Sequence, residues 1–260
     1  MSSAPSHPAS LLASAIILLL PLNLAAQQPT IAAIAPPPAI KTPAVKASRL
    51  PLIVIGFAGG FVRRTSLVHG EVALASHLRQ AYGSLVHSEI FENHHSDLAY
   101  REIRRLIAAS PSTQPPRIIL YGHSWGASEA VAVARHLQRD NIPVDLLIQV
   151  DGVNKRQQDD SIIPANVAEA INFYQTEGLL HGRSTISAAD PSATLILDNI
   201  HLTYKDHPVP TGDYPWFART FTHRHVEIES DPRVWSRVES LIAAELAPLP
   251  PIPAISTPLP

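Results

Sequence analysis

Along the chain, short continuous apolar runs alternate with stretches in which aliphatic residues recur at helical spacing. Residues 50–57 (LPLIVIGF) read as a buried strand that runs out into the glycine-rich loop Gly56-Phe57-Ala58-Gly59-Gly60. Residues 67–82 have helical spacing, with Gly83 placed to end the helix, and 85–91 alternate as a second strand. Asp97 is expected to cap a helix running to about residue 109, with Arg101, Arg104 and Arg105 on its wet side. A proline-rich turn over 110–116 leads into the apolar run Ile118-Ile119-Leu120-Tyr121, after which Ala127, Ala130, Val131 and Ala134 recur as on a helix packed closely against a sheet. Residues 144–150 (VDLLIQV) form a fourth strand ending at Asp151-Gly152. Beyond it the pattern predicts a short helix over 164–170 and a fifth strand over 171–174, with helical continuation from Val167 as the competing reading. A last strand follows over 195–204, then an irregular loop over 205–221 carrying Tyr214, Trp216, Phe217 and Phe221. Asp231 caps a closing helix over 232–246 with Pro232 in its first turn, and no internal repeat is visible.

Strands alternating with helices across short connections predict an α/β fold. Its centre is a mostly parallel sheet of about six strands with helices on both faces. Right-handed crossovers bring the strand carboxyl ends to one edge, where ligands bind in such sheets. Gly56–Gly60, the segment after Tyr121, and Asp151 all fall on that edge.

Composition narrows the classes. The chain has 260 residues, 45% of them hydrophobic, enough for one substantial core. Lys plus Arg number 20 against 22 Asp plus Glu, a net charge of -2 that offers no footprint for nucleic acid. Cysteine is absent, which excludes disulfides, thiolate catalysis, and cysteine-held zinc or iron–sulfur sites. Residues 11–22 (LLASAIILLLPL), with Ala25 and Ala26 after them, resemble a secretory signal peptide over 1–26. Export to the periplasm or outside the cell follows, without a lasting membrane span. An uncleaved amino-terminal membrane anchor is the alternative. Residues 27–49 are an Ala/Pro-rich linker, 50–246 the folded domain, and 247–260 a proline-rich disordered tail.

The chemistry centres on Gly122-His123-Ser124-Trp125-Gly126, a G-x-S-x-G run standing where strand passes into helix. A serine on so sharp a turn takes a strained backbone conformation, and glycines on either side remove collisions with the adjoining elements. The hydroxyl is thereby presented beside a helix amino terminus whose dipole favours a developing oxyanion. Ser124 is the candidate nucleophile. It needs a base, and the base needs a carboxylate. Downstream, His223 and His225 precede the closing helix. His225 is favoured because Val226-Glu227-Ile228 brace it, while His181, His201 and His207 are rivals. Asp151 is the favoured acid, with Asp198 and Glu177 as alternatives, and the amides of Trp125 and Ala58 are the candidate oxyanion donors. The aromatic loop residues Tyr214, Trp216 and Phe217 fit an acyl pocket or core packing equally well. A metal-dependent hydrolase built on Asn93-His94-His95-Ser96-Asp97 is disfavoured because adjacent side chains diverge, so no metal and no cofactor are expected.

Together GHSWG, GFAGG, the VDGV segment with the following IPANVAEAINFYQ, and HVEIESDP resemble the α/β-hydrolase family, in particular its small lipase- and thioesterase-like members. The resemblance spans about residues 50–246, with Gly56 in place of the histidine that usually opens the oxyanion loop. Residues 50–57 look like the family's third strand, which makes this a reduced version without its first two strands and with little room for a lid. The resemblance implies hydrolysis of a small-molecule or lipid ester or thioester through an acyl-enzyme. It also supports Asp151 as the acid and His225 as the base. A non-catalytic binding module on the same scaffold is the alternative.

Overall fold

In the computed structural model the described residues are 51–111, 116–155 and 159–246. The expected signal peptide, linker and tail lie outside them. The elements run β1 (Leu52–Ala58), α1 (Gly70–Tyr82), a 3-10 turn (Gly83–Leu85), β2 (Val86–Glu92), α2 (Ser96–Ala108), β3 (Ile118–His123), α3 (Trp125–Arg139) and β4 (Val144–Val150). They continue with β5 (Ile162–Ile163), β6 (Val167–Tyr174), β7 (Ser187–Ala188), β8 (Leu195–His201), α4 (Trp216–Phe221), α5 (His223–Ser230) and α6 (Pro232–Leu246).

Six strands form one sheet in the order β2-β1-β3-β4-β6-β8, and every neighbouring pair in it is parallel. Strand β1 lies between β2 and β3, next to one edge of this sheet, and among the described residues no strand precedes it. Its alternation distributes side chains to two cores. Ile53, Ile55 and Phe57 meet Ala99 and Ile103 of α2 and Ala130, Val131, Ala134 and Leu137 of α3. Leu52 and Val54 meet Leu74 and Leu78 of α1 and Val234, Val238 and Ile242 of α6 on the opposite face. Both faces are therefore covered, which is why these strands read as unbroken aliphatic runs. Each such Leu or Ile removed from water contributes roughly 1.5–3 kcal/mol before entropy is counted. The result is the expected six-stranded α/β-hydrolase-like sheet flanked by helices.

Three expectations need correcting. The helix expected over 164–170 is absent: Val167 onward is β6, a strand paired with β4 through Val144↔Val167 to Val150↔Phe173. Val167 and the run Ala170, Ile171, Asn172 and Phe173 are all buried. Partners on both sides override the local helical pattern of Ala-Glu-Ala. The irregular loop ends in a helix, α4, whose Trp216, Phe217 and Phe221 are exposed, while Tyr214 just before it is buried. Asp97 lies inside the first turn of α2 and pairs with Arg101 at 2.9 Å, while His95 occupies the cap position.

The glycines at the strand-to-helix bend are steric requirements. A Cβ on Gly122 would stand 2.6 Å from the Ala127 amide nitrogen, and one on Gly126 would stand 2.7 Å from the Phe57 carbonyl carbon. Backbone, not a flexible side chain, fills both spaces. Gly126→Ala must push α3 off the end of β1. The expected cost is about 1–3 kcal/mol, read as a lowered midpoint in thermal or urea unfolding.

Candidate functional site

Ser124 closes β3 and opens α3 with φ 56° and ψ -124°, a left-handed conformation that a non-glycine residue adopts only under constraint. The constraint is visible on both sides: its amide donates to the Val150 carbonyl at 3.0 Å, and its carbonyl accepts from Val153 N–H at 3.2 Å. Serine is a favoured helix cap, yet Ser124 makes no capping hydrogen bond with its side chain. The hydroxyl is left free, and the residue is 6% exposed.

Asp151 follows β4 and also has positive φ, 45°. Its fully buried carboxylate accepts from His225 Nδ1–H at 2.6 Å, the Gly182 amide at 2.7 Å, Gln175 Nε2–H at 2.9 Å and the Gln175 amide at 3.3 Å. His225 thus comes to Asp151 across 74 residues of chain. It sits on α5, a separate short helix just before the closing helix. Its ring packs against that of His123, with centroids 4.6 Å apart, and so lies against the residue preceding Ser124.

The other sequence candidates lie elsewhere. His223 is half-exposed and faces Glu227 at 3.8 Å. Glu177 accepts from the Tyr204 amide at 2.9 Å and from the Thr203 hydroxyl, which commits both oxygens to the 203–204 segment. Asp198 is exposed on the edge strand β8 and accepts from the neighbouring Asn199 amide. His181 is exposed and bonds the Gly182 carbonyl, His201 stacks on Tyr174 at 5.0 Å, and His207 is exposed.

Trp125 is the first residue of α3, so its amide belongs to the turn whose N–H groups have no intrahelical acceptor. Ala58 ends β1, and its carbonyl lies 3.0 Å from where a Gly126 Cβ would project. In the next loop Gly59 fits against Ser124, since a Cβ there would stand 3.3 Å from Ser124 Cβ. The Gly60 carbonyl accepts from Asn93 Nδ2–H. Asn93 Oδ1 is in turn bonded by Lys155 Nζ, which also pairs with buried Glu129 at 2.8 Å. Phe61, 96% exposed, sets its ring edge-on to Trp125 at 5.8 Å.

Several of these residues escaped the sequence reading. Gln175 donates to Asp151 and to the Leu180 carbonyl, and accepts from the Glu177 and Gly178 amides. Every polar group of this buried amide is used to fold the 175–182 loop around the acid. Gly182 is needed because a Cβ would stand 2.6 Å from Asp151 Cα. A lone glutamine and a lone glycine carry no spacing signal, so nothing in the sequence marked them. A second buried group also went unmarked. Glu71, His69 and Glu229 converge behind His123, whose Nδ1 is 3.7 Å from Glu229 Oε1. Burial, with His225 and His69 nearby, holds the His123 imidazole well below its usual range and therefore neutral.

For a metal, Glu92, His94 and His95 gather donor atoms within 4.8 Å, and the two rings stand 4.0 Å apart. Adjacent histidines thus turn towards one carboxylate here, but at an exposed surface and with Asn93 committed to the loop beside the bend. Between His69 and Glu229 the 2.5 Å separation is a direct hydrogen bond and leaves no room for an ion coordinated at about 2 Å by each. Two cavities among the described residues measure about 400 and 450 Å³, and Ser124 lines neither. The second opens beside Gly152, Val153 and Asn154, on the loop that follows Asp151. No helix among the described residues is long and apolar enough to cross a membrane.

No protein-family model matches the sequence, and no curated protein matches it. Among solved structures the chain is similar to a cutinase-like protein from Cryptococcus sp., at 15% identity and a TM-score of 0.45 over 77% of this chain and 97% of that one. It is also similar to human thioesterase 2, at 12% identity and a TM-score of 0.42 over 75% and 95% of the two chains. A third is the RedJ thioesterase of the prodiginine pathway in Streptomyces coelicolor, at 11% identity and a TM-score of 0.38 over 75% and 90%. These likenesses are weak and concern general architecture. Strand order, parallel pairing and the strained serine between β3 and α3 are what make this fold α/β-hydrolase-like.

Proposed function

We propose that this chain is a serine hydrolase cleaving a carboxylic ester or thioester through an acyl-enzyme. The observation that carries the reading is the buried 2.6 Å bond from His225 to Asp151, with the His225 ring against His123 and so beside the strained Ser124. Asp151 fixes the tautomer with the proton on Nδ1, which leaves Nε2 as the lone pair that receives the serine proton. Ser124 Oγ then forms a bond to the acyl carbon, and the carbonyl π electrons move onto oxygen. The amides of Trp125 and Ala58 hold that oxyanion, aided by the amino end of α3.

Collapse of the tetrahedral adduct breaks the bond to the alkoxide or thiolate, which takes the proton from His225 Nε2. Water repeats the sequence in reverse: it gives a proton to His225, attacks the acyl carbon, and returns Ser124 to its starting state. The Phe61–Trp125 ring pair supplies an apolar wall beside the bend for the acyl group. The signal-peptide-like pattern of residues 11–26 supports an exported enzyme.

A fluorophosphonate probe reacts only with an activated serine and so separates an enzyme from a binding module on this scaffold. Labelling of the wild-type chain, abolished in Ser124→Ala, is the expected result; an unlabelled, folded wild-type chain sinks the proposal. Hydrolysis of p-nitrophenyl esters should fall about 10⁴–10⁶-fold in Ser124→Ala, and His225→Ala should fall about as far because the members act as a unit. His223→Ala should stay within about threefold of wild type, since its side chain faces Glu227 and solvent. Equal losses from the two histidine variants would overturn the assignment of the base. Gln175→Ala should lower kcat by about 10–100-fold with KM little changed, because the acid loses its seat while the surface beside Ser124 is untouched.

A further inference from the structure

Two buried carboxyl groups lie outside the proposed triad, one bonded to the loop beside Ser124 and the other on the helix that carries His225. Glu71, in the first turn of α1, accepts the Gly59 amide on Oε1 at 3.1 Å. Gly59 is the residue of the β1 loop that fits against Ser124 Cβ. The carbonyl of Glu71 accepts from Tyr121 O–H of β3 at 2.9 Å, which ties the same turn to the strand before the bend. Glu229 lies on α5 one helical turn after His225, and its carbonyl accepts from Trp235 Nε1–H of α6 at 2.5 Å. The two carboxyl groups meet within 4.8 Å. Glu71 is fully buried, and its Oε2 has no protein donor.

We propose that the buried Glu71–Glu229 pair is a positioning clamp that holds the Gly59 loop in register with the helix carrying His225. This rests on the hydrolase reading above. Two buried carboxylates so close cannot both be ionised without repulsion. Glu229 accepts from His69 Nδ1–H and Glu71 from Gly59 N–H, and each keeps its own proton while doing so. The titratable groups facing the pair are His69 before α1, Tyr121 and His123 from β3, and Tyr214 from the loop before α4. His69 and His123 are shifted down and Tyr121 and Tyr214 up, all chiefly by burial, so each stays neutral. Burial pushes Glu229 up to about 8 and holds Glu71 well above the usual carboxylate range. The clamp is therefore closed at neutral pH and loosens as Glu229 ionises and places a charge in this buried site.

The sign follows from linkage. A carboxyl whose folded pKa is raised contributes stability that is lost as pH rises from the ordinary carboxylate range to about 8. Glu229→Gln imitates the protonated group permanently, because its amide N–H donates to Glu71 while its oxygen still accepts from His69.

Wild-type kcat, measured on a p-nitrophenyl ester, should decline about 10-fold or more above pH 8 with KM unchanged. Glu229→Gln should remove that decline and flatten the fall in melting temperature over the same range. The Gly59 amide signal in a ¹⁵N-resolved NMR titration should move with the same midpoint in wild type and stay still in the variant. Glu71→Ala should lower kcat about 10–100-fold at pH 7, and Glu71→Gln, which keeps both bonds, should restore it. If Glu71→Ala does not fold, the two glutamine variants carry the test. An identical alkaline decline in wild type and Glu229→Gln, or a Gly59 amide indifferent to pH between 7 and 9.5, overturns the clamp. Should the wild-type serine prove unreactive to the fluorophosphonate probe, the hydrolase reading fails alone, and the Gly59 titration still decides the clamp.

Discussion

The arrangement depends on one buried carboxylate being fully answered. Asp151 has no exposed surface and would be ruinous in an apolar interior without donors. It has four: the His225 ring, two groups of Gln175 and the Gly182 amide. Removing the histidine alone would leave a charge with partners that do no chemistry. Removing the loop would leave the histidine unanchored. The 175–182 segment is thus shaped around the acid first, and the position of His225 follows from the lone pair that remains.

A second constraint comes from the sheet. Parallel strands put every carboxyl end on one edge, so the Gly59 loop after β1, Ser124 after β3 and Asp151 after β4 are neighbours without any loop having to reach far. Close packing sets how near they come. The Gly122 and Gly126 spaces are filled by backbone, so α3 rests directly on the ends of β1 and β3. The Ser124 backbone is held at φ 56° by bonds from Val153 and to Val150, both belonging to β4 and the turn after it. Strain at the serine is therefore sustained by the same strand that presents the acid.

What the sequence made legible was local. Strands β1 to β4 and helices α1, α3 and α6 announce themselves through unbroken aliphatic runs, helical spacing and end signals, because each is decided by its own residues and a generic partner. The candidate serine was visible because steric need forces two glycines to fixed offsets, and Asp151 because it closes a strand at the correct edge. Strand β6 reads as partly helical because Ala168, Glu169 and Ala170 are good helix formers, whereas its conformation is set by β4 and β8 on either side. Gln175, Gly182, Glu71 and Glu229 could not be found at all. Their meaning lies in contacts separated by 24, 31 and more residues, which no spacing rule records. The facing of α5 adds what spacing cannot: two residues apart on a helix, His223 and His225 point to different surroundings, one to Glu227 and one to Asp151.

The two packed imidazoles, tilted 33° to one another, bring out why the surrounding burial matters to the proposed chemistry. Rings with centroids 4.6 Å apart cannot both carry a proton cheaply in a dry interior. His123 has no hydrogen-bond partner on either nitrogen, and burial holds it well below its usual range. His225 has Asp151. In the proposed reaction the proton leaving Ser124 would settle on the ring whose far nitrogen is already bonded to a carboxylate. His123 then serves as a neutral, polarisable wall for that imidazolium, and the same burial that disfavours charge on one ring directs it to the other. A solvent-exposed residue at this position would lose that asymmetry, since water would screen both rings alike and leave the proton less firmly assigned.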